Sequence, residues 1–93
     1  MPVAVVTLKM SLPEAHSLKD KRRAIKSLKD RIRQNFNVSV AEMELQDYWQ
    51  SACLGISAIS PDKRYAEGVA SKVVDFVRAD RRVTVVDYEV EVF

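Results

Sequence analysis

Apolar positions along this chain recur with a period of two in some stretches and near 3.6 in others, and the changes divide it into strands and helices. Residues 2–12, PVAVVTLKMSL, alternate: Val6, Leu8, Met10 and Leu12 fall on one face, with Thr7, Lys9 and Ser11 on the other. Pro13 stops the run, because a proline offers no N–H to a ladder. After a short loop, Pro13 to His16, the period lengthens. Leu18, Ile25, Leu28, Ile32 and Phe36 form one stripe of a helix that starts at Ser17 and ends near Asn35 to Asn37. Ser17-Leu18-Lys19-Asp20 has the form of a capping box, in which the hydroxyl accepts from an early helical N–H and the acid lies near the positive helix end.

Residues 38–46 read as a second strand whose apolar parity shifts. Val38 and Val40 are even, whereas Ala41, Met43 and Leu45 are odd, so a β-bulge near Val40–Ala41 is expected. Asp47-Tyr48 is the predicted hairpin turn, and the third strand runs from about Trp49 to Ile59 with Ala52, Leu54, Ile56 and Ala58 on the core face. Ser60-Pro61-Asp62 opens a second helix, with Ala66, Val69, Ala70, Val73, Phe76 and Val77 at helical spacing. Asp80-Arg81 connects it to a last strand, residues 83–93, in which Val86, Tyr88, Val90 and Val92 alternate with Asp87, Glu89 and Glu91.

The order is βαββαβ, two strand–helix–strand units joined by a tight β–β connection. Right-handed crossovers place both helices on one face of a single sheet. The expected fold is therefore α+β: a ferredoxin-like split βαββαβ sandwich over residues 1–93, with a four-stranded antiparallel sheet in the order 4-1-3-2 and its other face open. At 93 residues, 47% hydrophobic and 30% charged, the chain has the composition of one globular domain. No apolar run approaches the roughly 18 residues that span a bilayer, no secretory signal pattern opens the chain, and Cys53 has no internal disulfide partner. A cytoplasmic protein is expected.

Charge changes the picture more than composition does. Residues 1–36 hold nine bases against three acids, a net of +6, and residues 37–93 hold six bases against ten acids, a net of −4. With Ile25 at zero on a helical wheel, the apolar residues of the first helix span about 300° through 0° to 20°. Lys19, Arg22, Arg23, Lys26, Lys29 and Arg33 fall between about 40° and 160°, interrupted only by Asp30. Bases gathered in one stripe can track phosphates and release their counterions, and guanidinium forks match phosphate oxygens. The plainer reading is a solvated face of good helix formers. Arg78, Arg81 and Arg82 form a smaller group that complements the dipole at the end of the second helix.

Other chemistry is sparse. His16 lies in a loop with no acid and nucleophile spaced to work with it, and one His with one Cys spells no metal site. Cys53 reads as packing in a central strand. Gly55 and Gly68 are isolated, so there is no phosphate-cradling glycine loop. An acylphosphatase-like activity, which shares this strand–helix order, would want an arginine in the first loop, and Pro13-Glu14-Ala15-His16 has none. The sequence therefore points to no enzyme, no cofactor and no metal. The expected open sheet face offers Val3, Val5, Thr7, Lys9, Cys53, Gly55, Ser57 and Ile59, without the aromatic pair that stacks bases on an RNA-recognition sheet. Glu42, Glu44, Asp87, Glu89 and Glu91 beside it repel phosphate. Its apolar members, Val3, Val5 and Ile59, fit either a homodimer interface or partial burial within the monomer. Trp49 at the hairpin is expected to cover the core end, with exposure for a partner as the alternative.

The run His16-Ser17-Leu18-Lys19-Asp20-Lys21-Arg22-Arg23 resembles the signature of a small bacterial family, the YlxP-like proteins. Phe36-Asn37-Val38-Ser39-Val40-Ala41-Glu42, the Gln46-Asp47 and Trp49-Gln50 pairs, and the ending with Asp87, Glu89 and Glu91 between apolar residues are similar to the same family. The resemblance covers essentially the whole chain. It implies a ferredoxin-like fold and a genomic setting among transcription and translation genes, and it brings no established catalytic residues. The reading that results is a non-enzymatic binding module that meets RNA or a ribosomal particle through the basic first helix. The alternative is a homodimeric or protein-interaction domain that uses the open sheet face.

Overall fold

The elements follow the predicted order in the computed structural model, which describes residues 1–45 and 48–93: β1 (Val3–Ser11), α1 (Leu18–Asn35), β2 (Ser39–Glu42), β3 (Ser51–Ile59), α2 (Lys63–Arg78) and β4 (Thr84–Val92). The sheet runs β2-β3-β1-β4, the expected order read from the other edge, and every pair is antiparallel. No described helix is long and apolar enough to cross a membrane.

Side-chain parity builds the core. Ala4, Val6, Leu8 and Met10 of β1 and Ala52, Leu54, Ile56 and Ala58 of β3 are buried on one face, beneath the apolar stripes of both helices. The stripe of α1 is Ala24, Ile25, Leu28 and Ile32, and that of α2 is Ala66, Ala70, Val73, Val74 and Val77. Burying a Leu or Ile side chain in such a seam contributes about 1.5–3 kcal/mol. Near their ends the helices meet through Phe36 and Phe76, packed edge to face at 5.5 Å.

Both helix starts are fixed by the residues that the sequence marks. The Ser17 hydroxyl accepts from the Asp20 N–H at 3.1 Å, and the Asp62 carboxylate accepts from the Arg64 N–H at 2.9 Å. Asp20 does not complete a reciprocal box with Ser17. Its carboxylate accepts from the His16 N–H instead, one residue earlier in the loop.

Two strands depart from expectation. β2 is four residues long and holds an unbroken register with β3, from Ser39 opposite Ser57 to Glu42 opposite Leu54, so the bulge expected at Val40–Ala41 is absent. Val40 points into the core and Glu42 toward the same side, while Ala41 and Met43 follow the odd parity onto the open face. The parity shift in the sequence marks the end of the strand rather than a kink in it. The irregularity lies in β4 instead. Lys9 pairs with Asp87 but Met10 with Val85, which leaves Val86 as an extra residue, 68% exposed, and not on the core face where its alternation put it. The predicted turn falls in part on Asp47, which lies outside the described residues. Trp49 is 46% exposed, which agrees with the alternative of exposure rather than with covering the core end.

Among the described residues, one charged side chain is fully buried. Lys21 has no exposed surface; its Nζ lies 3.0 Å from Glu42 Oε2 and donates to the Leu45 carbonyl at 2.5 Å. Leu45 has φ 68°, a left-handed conformation that costs a non-glycine residue about 1 kcal/mol or more. The lysine thus ties α1 to the end of β2 and to the chain beyond it.

A second polar tie joins α1 to the turn after α2. The Asp80 carboxylate, almost completely buried, takes the Arg31 and Arg82 guanidinium groups and the Arg82 backbone N–H. Arg82 also donates to the Ser27 hydroxyl at 3.1 Å. Burial alone would raise the Asp80 pKa, but the Arg82 N–H and the two guanidinium groups outweigh it and hold the carboxyl below its usual range.

Two outcomes are expected in urea unfolding. Lys21→Ala strips Glu42 and the Leu45 carbonyl of their ammonium and should lower stability by about 3 kcal/mol. Lys21→Met combined with Glu42→Leu should recover much of that loss; a Lys21→Ala cost under about 1 kcal/mol would mean that water answers the carboxylate. The Asp80 contribution is fully present above the ordinary aspartate range near pH ~3.9 and drains away as pH falls through its lower folded value, because the unfolded chain takes up the proton first. Asp80→Asn should therefore reduce stability at pH 7 and flatten its fall below about pH 4. Parallel acid limbs in the two proteins would exclude this.

Candidate nucleic-acid interface

The basic stripe of α1 is real and lies outward. Lys19, Arg22, Arg23, Lys26 and Arg33 are exposed and Lys29 is half-buried, all along one flank. That flank runs over the β2 edge of the sheet, because α1 packs above β2 while α2 packs above β1 and β4. Between Lys19 and Arg33 the helix rises about 21 Å.

The six bases are not equivalent. Asp30, the one acid in the stripe, holds Lys26 at 3.0 Å and Arg33 at 3.5 Å. Arg33 also donates to the Val40 carbonyl at 3.0 Å. The Met43 N–H donates to the Cys53 carbonyl, so the two-residue alternation of an antiparallel ladder turns the Val40 carbonyl away from β3. Arg33 therefore caps the outer edge of β2, a structural duty that its position on the wheel does not reveal. Among the described residues, Lys19, Arg22, Arg23 and Lys29 have no carboxylate within ion-pair distance. These four are the bases best placed to meet an outside anion.

Arg31, Arg78 and Arg82 are engaged. Arg82 belongs to the Asp80 cluster, and Arg78 lies 5.2 Å over the Tyr88 ring, so the second basic group does more than complement a helix end. Lys21, counted among the basic residues of the first third, is withdrawn from the surface altogether.

The open face has the expected residues of β1 and β3, but Glu42, expected beside them, turns to Lys21 on the helix side, and Ala41 and Met43 stand on the open face instead. The register sets Met43 and Cys53 beside Lys9 and Asp87, Ala41 and Gly55 beside Thr7 and Glu89, and Ser39 and Ser57 beside Val5 and Glu91. Its central strands carry no aromatic residue. The Met43 side chain lies over Gly55, where a Cβ would come to 3.1 Å from its sulfur, so a side chain at position 55 would push the methionine aside by a few tenths of an ångström. Burial, then the nearby Glu44, pushes the Cys53 thiol up, with Lys9 opposing more weakly, so the thiol stays protonated and unreactive at neutral pH. His16 is exposed in the loop before α1, and among the described residues no group of three or more His, Cys, Asp or Glu side chains is placed to hold a metal ion.

Comparison with known proteins bears on this site only through the family. Two solved structures share the architecture at low identity. One is the solution NMR structure of a de novo designed protein with ferredoxin fold (TM-score 0.58, 14% identity, 98% of this chain and 86% of that one). The other is the de novo designed protein Foldit4 (TM-score 0.55, 17% identity, 100% and 97%). Such likeness speaks for the fold alone. In sequence, the chain is 38% identical over 64 residues to the uncharacterized protein YlxP of Bacillus subtilis (strain 168), covering 69% of this chain and 70% of that protein. The profile of the protein family of unknown function DUF503 matches residues 3–90, and the chain belongs to that family, the YlxP-like proteins.

Proposed function

We propose that the protein is a non-enzymatic binding module that docks on the phosphate backbone of RNA, free or in a ribosomal particle, through the outer flank of α1. One observation carries this reading: Lys19, Arg22, Arg23 and Lys29 project from one flank with no carboxylate at ion-pair distance among the described residues, while Asp87, Glu89 and Glu91 are gathered on β4 at the opposite edge of the sheet. A molecule with its charges so divided presents a positive field to a polyanion and keeps its own acids out of the way. The bases sit on a rigid helix, and phosphate contacts of this kind orient a nucleic acid without reading its sequence. Lys26 and Arg33 join the surface at its rim, already neutralised in part by Asp30.

A second reading, self-association through the open sheet face, is favoured by one corner. Ile59, Val3 and Phe93 stand side by side there, and Ile59 and Phe93 are largely exposed.

Two measurements separate these readings. Binding of single-stranded RNA and of ribosomal subunits should fall steeply with salt, and Arg22→Glu with Arg23→Glu should weaken it at least about tenfold and reduce the salt slope by about 2, with an unchanged thermal melt. Affinity unaffected by the double reversal would remove the α1 reading. Sedimentation at high protein concentration addresses the second: twice the monomer mass of 10.6 kDa, returned to the monomer by Ile59→Lys, is its expected result, and a monomer throughout excludes it.

A further inference from the structure

We propose that the outer edge of β4 is a docking site for an extended segment of another protein in which Lys or Arg alternates with apolar residues, added to the sheet as a fifth strand. The inference is independent of the RNA reading and concerns the opposite edge of the sheet.

Hydrogen-bond accounting locates the site. Val3 and Phe93 exchange both backbone bonds, at 3.0 and 2.8 Å. By the alternation of an antiparallel ladder, Glu91, Glu89 and Asp87 also turn their backbone groups toward β1, and Tyr88, Val90 and Val92 turn theirs outward. The Tyr88 N–H is taken by the carboxylate of its own neighbour, Asp87, at 2.9 Å. Among the described residues, the N–H and C=O groups of Val90 and Val92 meet no backbone partner on that side. The bulge at Val86 closes this stretch at one end.

The two edges of the sheet are treated differently. β2 has four residues, and Arg33 occupies its outward Val40 carbonyl. β4 has nine and carries neither a proline nor a lysine, the usual devices that blunt an edge. Its helix-facing side chains are also incompletely covered: Tyr88 and Val90 remain 41% and 40% exposed, at the margin of the core.

Charge chooses the occupant. Side chains directly opposite one another in paired strands share a face. Residues of an added strand opposite Glu89 and Glu91 would stand on the open face and meet carboxylates, and those opposite Tyr88 and Val90 would meet apolar surface. A second copy of β4 fails this requirement. In an antiparallel pair centred on Tyr88 or on Val90, acids would face acids, which is destabilising. The same acids that block self-pairing suit a strand with basic residues in alternate positions. Backbone pairing would supply the affinity and side-chain alternation the selectivity.

The test uses the full chain and capped peptides of about seven residues, a strand's length. One alternates Val and Lys, one alternates Val and Glu, and one has the Val–Lys composition with its lysines clustered. The alternating Val–Lys peptide should bind at least about tenfold more tightly than either of the others. On binding, the Val90 and Val92 amides should gain hydrogen-exchange protection. Val90→Pro removes an outward N–H without touching the β1 ladder, and should lower affinity at least about tenfold while circular dichroism is unchanged. Glu89→Lys with Glu91→Lys should shift the preference to the Val–Glu peptide. Should Val90→Pro fail to fold, the charge swap and the amide protection decide. The proposal is overturned by equal binding of the alternating and clustered peptides, by a preference that survives the charge swap, or by no protection of the two amides at millimolar peptide.

Discussion

The ammonium of Lys21 is buried where the first turn of α1 meets the end of β2, and the layout of one side of the molecule depends on how it is answered. A buried cation without partners would cost several kcal/mol. Here the last residue of β2 supplies a carboxylate and Leu45 a carbonyl, the latter from a residue held in a left-handed conformation. The pairing commits the chain after Glu42 to stay close to α1. It also coincides with the end of β2 after four residues, and with Met43 turning onto the open face above Gly55.

That commitment has an electrostatic consequence. With Glu42 turned inward to Lys21 and Asp30 shared between Lys26 and Arg33, few carboxylates remain on the β2 side to neutralise the outer flank of α1. Asp80, almost fully buried, is consumed by Arg31 and Arg82. The acids left over on a strand are those of β4, at the far edge. The division of charge visible along the sequence is thus a division across the sheet. It follows from the order β2-β3-β1-β4, which separates the first helix from the last strand.

Most of this frame is legible in the residues themselves. Period and punctuation suffice for β1, both helices and β3, because Pro13, Ser17 and Asp62 act locally and their effects do not depend on the rest of the fold. The stripe of bases is legible for the same reason, since a helix fixes angles. What is lost is whatever a distant contact decides. Arg33 looks like its neighbours on the wheel until β2 brings a carbonyl to it. Lys21 is the instructive miss: at about 320° it falls inside the apolar arc and not in the basic stripe, which was a signal of burial, but only the fold reveals that Glu42 waits there. That the bulge lies in β4 and not in β2 is lost for a related reason. A parity shift in β2 and an even alternation in β4 are both ambiguous until the register with β1 and β3 is known.

Designed proteins at 14% and 17% identity reach the same arrangement of strands and helices, so the fold leaves most positions of this chain free to carry other features. Chains that need only to fold and stay apart favour mixed surface charge and blunted edges. Here the β2 edge is blunted by its shortness and by Arg33, whereas the β4 edge, beyond the bulge at Val86 and the capped Tyr88 N–H, is guarded by like charge. Like-charge protection is selective: it repels copies of the same strand, and it leaves the backbone groups of Val90 and Val92 open to a strand of opposite charge. The physical asymmetry between the two edges is therefore an argument for two different contacts, one with a polyanion along α1 and one with a basic segment along β4.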